Sequence, residues 1–273
     1  MKKKSKIKKE ISFTKAEATG NDFVILDLRV GATKKLWNKK LVENVCDRNF
    51  GIGADGVVLL SGPKDKKNSL SWKFYNADGS EAEMCGNASR CVGVYEKLVT
   101  KKRGPYKLET AAGVVILEPL GGNMVNCKLP SVEVLKKEIK IKGANRNWEG
   151  IYINSGVPHF VVETDTFTNR DELDDEALVL KNDKFFGASG TNVTFICRHE
   201  GSNFVVTHER GVNNFTLSCG TGAVAAARYL ADKYKQKRGS RLELPGGSIE
   251  VNFTPGAELV GPARIVFVGK YEL

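Results

Sequence analysis

The sequence has few cysteines and histidines, and it has no long apolar run. Six cysteines and three histidines are spread over 273 residues, with no Cys-x-x-Cys pair and no histidine spacing typical of zinc. No stretch approaches the roughly 20 apolar residues of a membrane span, and no apolar segment follows the basic start as in a signal peptide. We therefore expect reduced thiols, a cytoplasmic location, no metal and no membrane partner.

The excess of positive charge is concentrated at the start of the chain. The formal net charge is +10, and half of it lies in residues 1–10, which contain six lysines and one glutamate. We interpret this segment as a disordered basic tail. The rest of the chain has neither a basic helix nor a strand that interleaves aromatic and basic residues, so nucleic acid is not an expected partner.

One stretch, residues 76–91, has the features of a ligand site. A β-like run leads through a turn to Cys85, and residues 86–100 have the apolar spacing of a helix. Cys85 is therefore expected at a helix N-terminus, where free N–H groups and the helix dipole favour an anion and lower the pKa of a thiol. Gly86 would let the anion approach the backbone closely. The alternative is a buried structural cysteine, the usual role of a lone one.

A second copy of this arrangement favours the ligand site over the structural cysteine. Residues 215–229 repeat the order of β-like run, Cys-Gly and helix, with Cys219 and Gly220 in the places of Cys85 and Gly86. The two cysteines are 134 residues apart, and a tyrosine follows each of them by ten residues. Weaker matches at nearly the same offset are Gly20 with Gly156 and Phe50 with Phe186. These matches predict a duplicated unit whose halves each offer a cysteine at a helix N-terminus.

Two thiols that face one cavity can invert a carbon centre. One of them, as a thiolate, removes a proton from the carbon, and the other, as a thiol, delivers a proton to the opposite face. The two helix ends can hold a substrate carboxylate between them, which would fix the carbon between the sulfur atoms.

The motifs resemble those of diaminopimelate epimerases, which are racemases and epimerases that act without pyridoxal phosphate. The segments that carry the resemblance are Asn76-Ala-Asp-Gly-Ser-Glu81, Cys85-Gly86-Asn87, Glu209-Arg210-Gly211 and Cys219-Gly220-Thr221-Gly222. The Cys-Gly motifs are shared with proline racemases, whereas the surrounding polar residues make the match specific. The resemblance covers about residues 11–273. It implies cofactor-free interconversion of LL- and meso-diaminopimelate, in lysine and cell-wall precursor biosynthesis.

The resemblance also implies a role for each matching residue. Cys85 and Cys219 are expected to form the catalytic acid–base pair, and His159 and Glu209 are expected to tune their pKa values. The residues expected to bind substrate are Asn21, Asn76, Gly86, Asn87, Asn192, Glu209, Arg210, Gly220 and Thr221. Arg210 is expected to hold the distal carboxylate of diaminopimelate as a bidentate fork. The expected partners are diaminopimelate and, in a homodimer, a second copy of the chain.

The fold implied by the resemblance is α+β, with two pseudo-symmetric halves. Each half is expected to be a curved, mostly antiparallel sheet wrapped around a central helix, with the active site in the cleft between the halves. The expected division is a tail at 1–10, an N-terminal half at 11–129 plus 263–273, and a C-terminal half at 130–262. Residues 130–147 are interpreted as the crossing between the halves, and the acidic stretch 165–183 as an exposed helix.

The sequence departs from the usual family pattern at a few positions. Gly56 stands where some members have Gln, Val157 where many have Asn, and Ala88-Ser89 where Gly-Ala is more usual. A non-catalytic binding protein on the same scaffold is therefore an alternative. A proline or hydroxyproline racemase is another, but its substrate has one carboxylate and would give Arg210 no distal group to hold.

Overall fold

The computed structural model describes residues 10–30, 37–129, 132–167, 170–235, 239–253 and 256–272, so most of the expected tail lies outside it. Its helices are α1 (Lys39–Cys46), α2 (Gly86–Thr100), α3 (Arg170–Lys181) and α4 (Gly220–Tyr234). None of the helices in these ranges is long and apolar enough to cross a membrane.

The strands form one continuous sheet that consists of two similar runs. The first run is β1 (Glu10–Ala18), β2 (Asn21–Asp27), β3 (Gly56–Ser61), β4 (Leu70–Asn76), β5 (Glu81–Ala82), β6 (Tyr106–Thr110), β7 (Gly113–Pro119), β8 (Met124–Leu129) and β9 (Glu133–Lys142). The second run is β10 (Asn147–Asn154), β11 (Pro158–Glu163), β12 (Asn192–His199), β13 (Ser202–Glu209), β14 (Asn214–Phe215), β15 (Ser240–Leu244), β16 (Gly247–Asn252), β17 (Ala257–Pro262) and β18 (Arg264–Glu272).

The pairing order of the first run is repeated in the second. In both runs an antiparallel hairpin is followed by a parallel pair, an antiparallel pair, a second parallel pair and an antiparallel meander. The two runs are joined where β8 pairs with β17. This repeat confirms the predicted α+β fold with two pseudo-symmetric halves.

The strands at the ends of the two runs cross over. The last strand, β18, returns to pair with β1, and β9 pairs with β10 of the second run. The stretch interpreted as a crossing therefore contains a strand that the sequence analysis missed, because most of its side chains are exposed and its apolar alternation is weak. The residue boundaries proposed for the halves stay a prediction.

Each half has helices on both faces of its sheet. Alternate residues of β3 show this, since Val58 and Leu60 belong to the core around α2 and α4, whereas Val57 and Leu59 belong to the cluster beside α1. Burial on both faces explains why such strands are continuously apolar.

Helix α3 occupies the acidic stretch but is not the simple exposed helix that its composition predicted. Leu173 and Ala177 are buried against the sheet. Glu176 on the same face accepts a hydrogen bond from Trp148 Nε1 at 2.7 Å and two more from backbone N–H groups of the preceding loop. The acidic residues of α3 other than Glu176 lie toward its outer face.

The tyrosine ten residues after each cysteine donates to a carboxylate at the equivalent place in each half. Tyr95 on α2 donates to the carboxylate of Asp27 at the end of β2 (3.1 Å), and Tyr229 on α4 donates to Glu163 at the end of β11 (3.3 Å). Both bonds tie a central helix to the second strand of its own half. They anchor the C-terminal part of each central helix, ten residues after the cysteine.

Candidate active site

Helices α2 and α4 begin beside each other at the junction of the two halves. Cys85 and Cys219 are their N-cap residues. Gly86 and Gly220 follow them, and a Cβ atom added to Gly220 would lie 3.4 Å from the Cα atom of Gly86. Two positive helix ends therefore converge on one place, which favours an anion there.

The two sulfur atoms cap their helices in the same way. Cys85 Sγ accepts a hydrogen bond from the N–H of Ala88 at 3.5 Å, and Cys219 Sγ accepts one from Gly222 at 3.4 Å. Each thiol is thus fixed against the first turn of its own helix.

The helix ends lower the thiol pKa values in the predicted direction, but burial outweighs them at both cysteines. Burial raises the pKa of Cys85 to about 11, although the backbone N–H groups of Ala88 and Asn87 oppose this shift. Burial also raises the pKa of Cys219 well above its ordinary value, and the Glu209 carboxylate adds to this effect. Desolvation of a thiolate outweighs the helix end here.

Glu209, at the end of β13, lies against the second thiol. Burial raises the pKa of the Glu209 carboxyl. The hydrogen bond that this carboxyl shares with Cys219 lowers the same pKa, but it is the smaller effect. Thr216 Oγ1 donates to the carboxylate at 2.7 Å. A carboxylate in contact with a thiol can influence where the thiol proton resides.

His159 is fully buried and connects to the same thiol through Thr221. Burial lowers the pKa of His159 to about 3, so the ring is neutral at physiological pH. Its Nε2 lies 3.0 Å from Thr221 Oγ1, which lies 3.4 Å from Cys219 Sγ. Its Nδ1 lies 2.9 Å from Thr194 Oγ1, and Asn192 Nδ2 lies 3.4 Å from Nε2. The predicted residues Asn192 and Thr221 are therefore brought together with His159.

Arg210 is held by backbone and amide groups rather than by a carboxylate. Its N–H donates to Asn192 Oδ1 at 2.9 Å, and its Nη1 donates to the carbonyls of Ser189 and Gly190 at 3.2 and 3.4 Å. Nε and Nη2 have no partner among the described residues, so one edge of the guanidinium can accept an anion.

The amides of Asn21 and Asn87 contact each other across the site. Asn87 Nδ2 donates to Asn21 Oδ1 at 3.0 Å and to the carbonyl of Ser218, which precedes Cys219, at 2.9 Å. Asn21 Nδ2 donates to Asp55 Oδ2 at 2.6 Å. Asp55 and Ser218 were not predicted from the sequence, although they determine which way both amides face.

Asn76 is the one predicted site residue that this network does not include. Its side chain is exposed and its Nδ2 donates to Ser80 Oγ at 3.0 Å within its own turn.

Gly56, which pairs with Asn76 in the sheet, has no room for the Gln of other family members, since a Cβ atom there would lie 2.6 Å from the carbonyl oxygen of Tyr75. At Val157, where many family members have Asn, the backbone carbonyl accepts a hydrogen bond from the N–H of Ser155, which closes a turn.

The buried neutral ring of His159 predicts a loss of stability in acid. The unfolded chain protonates this residue below pH 6.5, whereas the folded protein does so only near pH 3. Folding stability should therefore fall as pH decreases between these values, by about 1.4 kcal/mol per pH unit from this group.

Urea unfolding at pH 7 and pH 5 measures this effect. His159→Gln should have a shallower pH dependence than the wild type, whereas His199→Gln, at an exposed histidine, should retain the wild-type slope. An unchanged slope in His159→Gln would show that the ring is not held neutral.

Comparisons with known proteins agree with the repeated fold and the paired motifs. The model of the diaminopimelate epimerase family matches residues 13–124 and 151–266. The chain is 37% identical over 226 residues to a diaminopimelate epimerase of Hydrogenobaculum sp., covering 78% of this chain and 79% of the relative. It is 34% identical over 276 residues to one of Aquifex aeolicus, covering 95% and 97%.

A solved structure shows the same fold at low sequence identity. It is a hydroxyproline epimerase from Agrobacterium vitis with bound trans-4-OH-L-proline, which has a TM-score of 0.78 and 16% identity and covers 98% of this chain and 94% of that one. This likeness concerns the fold alone. The family match and the sequence relatives together show that the chain belongs to the diaminopimelate epimerase family.

Proposed function

We propose that this protein interconverts LL- and meso-2,6-diaminopimelate with Cys85 and Cys219 as the two proton-transfer groups. The observation that carries the proposal is the meeting of two helix N-termini, each capped by a cysteine from a different half. A carboxylate held by these helix ends would bring its α-carbon between the two thiols.

The reaction follows from the roles of two thiols. One sulfur, as a thiolate, takes the α-proton and becomes a thiol, and the electron pair of the broken C–H bond is delocalised toward the carboxylate. The N–H groups of both helix ends stabilise the charge that develops there. The opposite thiol then donates its proton to the other face of the carbon and becomes a thiolate. Two proton transfers on opposite faces invert the centre without a cofactor.

Burial of both thiols makes a thiolate costly, because a low-dielectric environment disfavours charge. Bound diaminopimelate brings an α-ammonium group beside the sulfur atoms, and its positive charge favours a thiolate. The base would therefore form when the substrate binds.

Arg210 gives the site its preference for a substrate with two amino-acid ends. The edge formed by Nε and Nη2 can accept the distal carboxylate as a bidentate fork, while the bonds from Nη1 to two carbonyls hold the guanidinium in place. Glu209 can attract an ammonium group or bias the nearby thiols. A cyclic substrate with one carboxylate would leave the Arg210 edge unpaired.

Other features of the protein follow from this function as expectations. The cytoplasm is the compartment that we propose for an enzyme of lysine and cell-wall precursor biosynthesis. The proposed division into halves at 11–129 plus 263–273 and at 130–262 places one of the two proposed catalytic cysteines in each half. A homodimer is compatible with this arrangement, in which the two thiols come from one chain.

Replacing either proposed catalytic cysteine tests the function directly. Cys85→Ala and Cys219→Ala should each lower epimerisation of LL-diaminopimelate by ~10²–10⁴-fold, the usual contribution of one positioned proton-transfer group. Cys197→Ala, a buried cysteine that donates to the Asp165 carbonyl, is the control and should keep normal turnover. Near-normal activity in Cys85→Ala would end the two-thiol scheme.

The role of Arg210 is tested by changing the fork and keeping the charge. Arg210→Lys loses the bidentate geometry and should cost roughly 1.5–3 kcal/mol in kcat/KM for diaminopimelate, or about 10–150-fold. Arg241→Lys, at an exposed arginine paired with Glu243, should have no effect. The role would be refuted by normal efficiency in Arg210→Lys and Arg210→Ala, or by a wild-type enzyme that prefers L-proline.

A further inference from the structure

Arg90, in the second turn of α2, is a fully buried arginine without a carboxylate partner. It has 0% exposure, and no Asp or Glu in the described ranges forms an ion pair with it. Its Nη2 donates to Asn87 Oδ1 at 2.8 Å and to Thr19 Oγ1 at 3.0 Å, and its Nε donates to the Pro262 carbonyl at 3.3 Å. Its Nη1 has no hydrogen-bond partner among these residues.

This guanidinium is a stable positive charge in the core. Burial lowers the pKa of Arg90, but an arginine side chain stays protonated in proteins. The chain leaves space for it, because a Cβ atom on Gly261 would lie 3.2 Å from Nε. A buried charge that is only partly hydrogen-bonded and has no counter-ion destabilises the folded state. A cation retained at this cost indicates a role beyond packing.

The charge is present in one half of the duplicated site only. The residue five positions after Cys85 is Arg90, and the one five positions after Cys219 is Val224, which is also fully buried. The guanidinium contacts Asn87 in the same helical turn whose N–H groups cap Cys85. The cation is therefore carried by the helix of the first thiol, and α4 has no equivalent, although the cation's partners Asn87 and Thr19 also contact Ser218 next to the second thiol.

The other charged and titratable groups strengthen this asymmetry. Those that act on Cys85 include Glu209, which raises its pKa, and Arg90, which has a smaller effect and lowers it. Those that act on Cys219 include Glu209, which is in direct contact and is the largest cause after burial, and Cys85. The groups around Arg90 are the thiols Cys85, Cys91 and Cys127 and the carboxylate of Glu17. Burial raises the pKa of Cys91 and Cys127, and Glu17 is paired with Arg264.

We propose that Arg90 is a positioning residue that favours the thiolate form of Cys85 over that of Cys219. Its hydrogen bonds to three separate segments hold the guanidinium beside the first turn of α2. When one thiolate of the pair forms, the proton then stays on Cys219 and Cys85 serves as the base. The catalytic meaning of this inference rests on the proposed function, but the charge effect does not.

Alkylation of each thiol by iodoacetamide tests the proposal without any substrate. The rates at Cys85 and Cys219 are followed across a pH series by peptide mass spectrometry, because only the thiolate reacts. In Arg90→Gln, which keeps an amide for Asn87 but loses the charge, Cys85 should react roughly tenfold more slowly at a given pH, as for a rise of one pKa unit. The pH dependence at Cys219 should not change.

Two controls separate charge from structure. Arg90→Lys keeps a cation and should retain the wild-type pH dependence at Cys85. Arg228→Gln removes a half-exposed arginine from α4 and should affect neither thiol. Folded Arg90→Gln with unchanged Cys85 alkylation, or with both thiols slowed equally, would overturn the proposal.

The wild-type enzyme gives a result even when Arg90→Gln does not fold. Alkylation of Cys85 should then rise at a lower pH than that of Cys219, and the reverse order would overturn the inference. Epimerase assays on the same preparation report on the proposed function separately, since alkylation needs no diaminopimelate.

Discussion

The site depends on the close approach of two helix N-termini. Gly86 and Gly220 permit it, because any larger side chain at the junction would occupy the place where the free N–H groups of both helices converge. Two positive helix ends repel each other, so the arrangement is unfavourable unless the surrounding sheet enforces it. The pairing of β8 with β17 and the return of β18 to β1 provide that enforcement.

Burial and local polar groups act in opposite directions on the two thiols. Burial raises both pKa values, while helix N–H groups lower them, and burial prevails. The neighbours then make the thiols unequal: Cys85 has a cation nearby, whereas Cys219 has a carboxylate and a neutral histidine relayed through Thr221. An internal duplication has thus produced two similar helix caps in different electrostatic surroundings.

The sequence predicted the parts of the site that depend on local signals. The bounds 86–100 of α2 were predicted from the Cys-Gly start and the apolar spacing, and the structure has the same bounds. Residues held by distant partners had no such signal. Asp55 is 34 residues from Asn21, and Arg90 is 172 residues from Pro262.

Some of the weak sequence matches between the halves do not correspond to similar packing. Phe50 and Phe186 match in sequence, but Phe50 is 90% exposed and Phe186 only 8% exposed. Helix α2 buries two charged residues, Arg90 and Glu96, among small and apolar residues, and neither was predicted from the sequence.

The central claim is that two different thiols serve the two faces of one carbon. Solvent deuterium uptake tests it most directly, with LL-diaminopimelate converted in deuterium oxide and both isomers recovered after a few turnovers. Because a solvent-exchanged thiol donates to the inverted carbon, the meso product should carry deuterium there, while the recovered LL isomer should carry almost none. Deuterium in the recovered LL isomer ahead of the product, or meso product that retains its original proton, would show a single proton-transfer group and contradict the account.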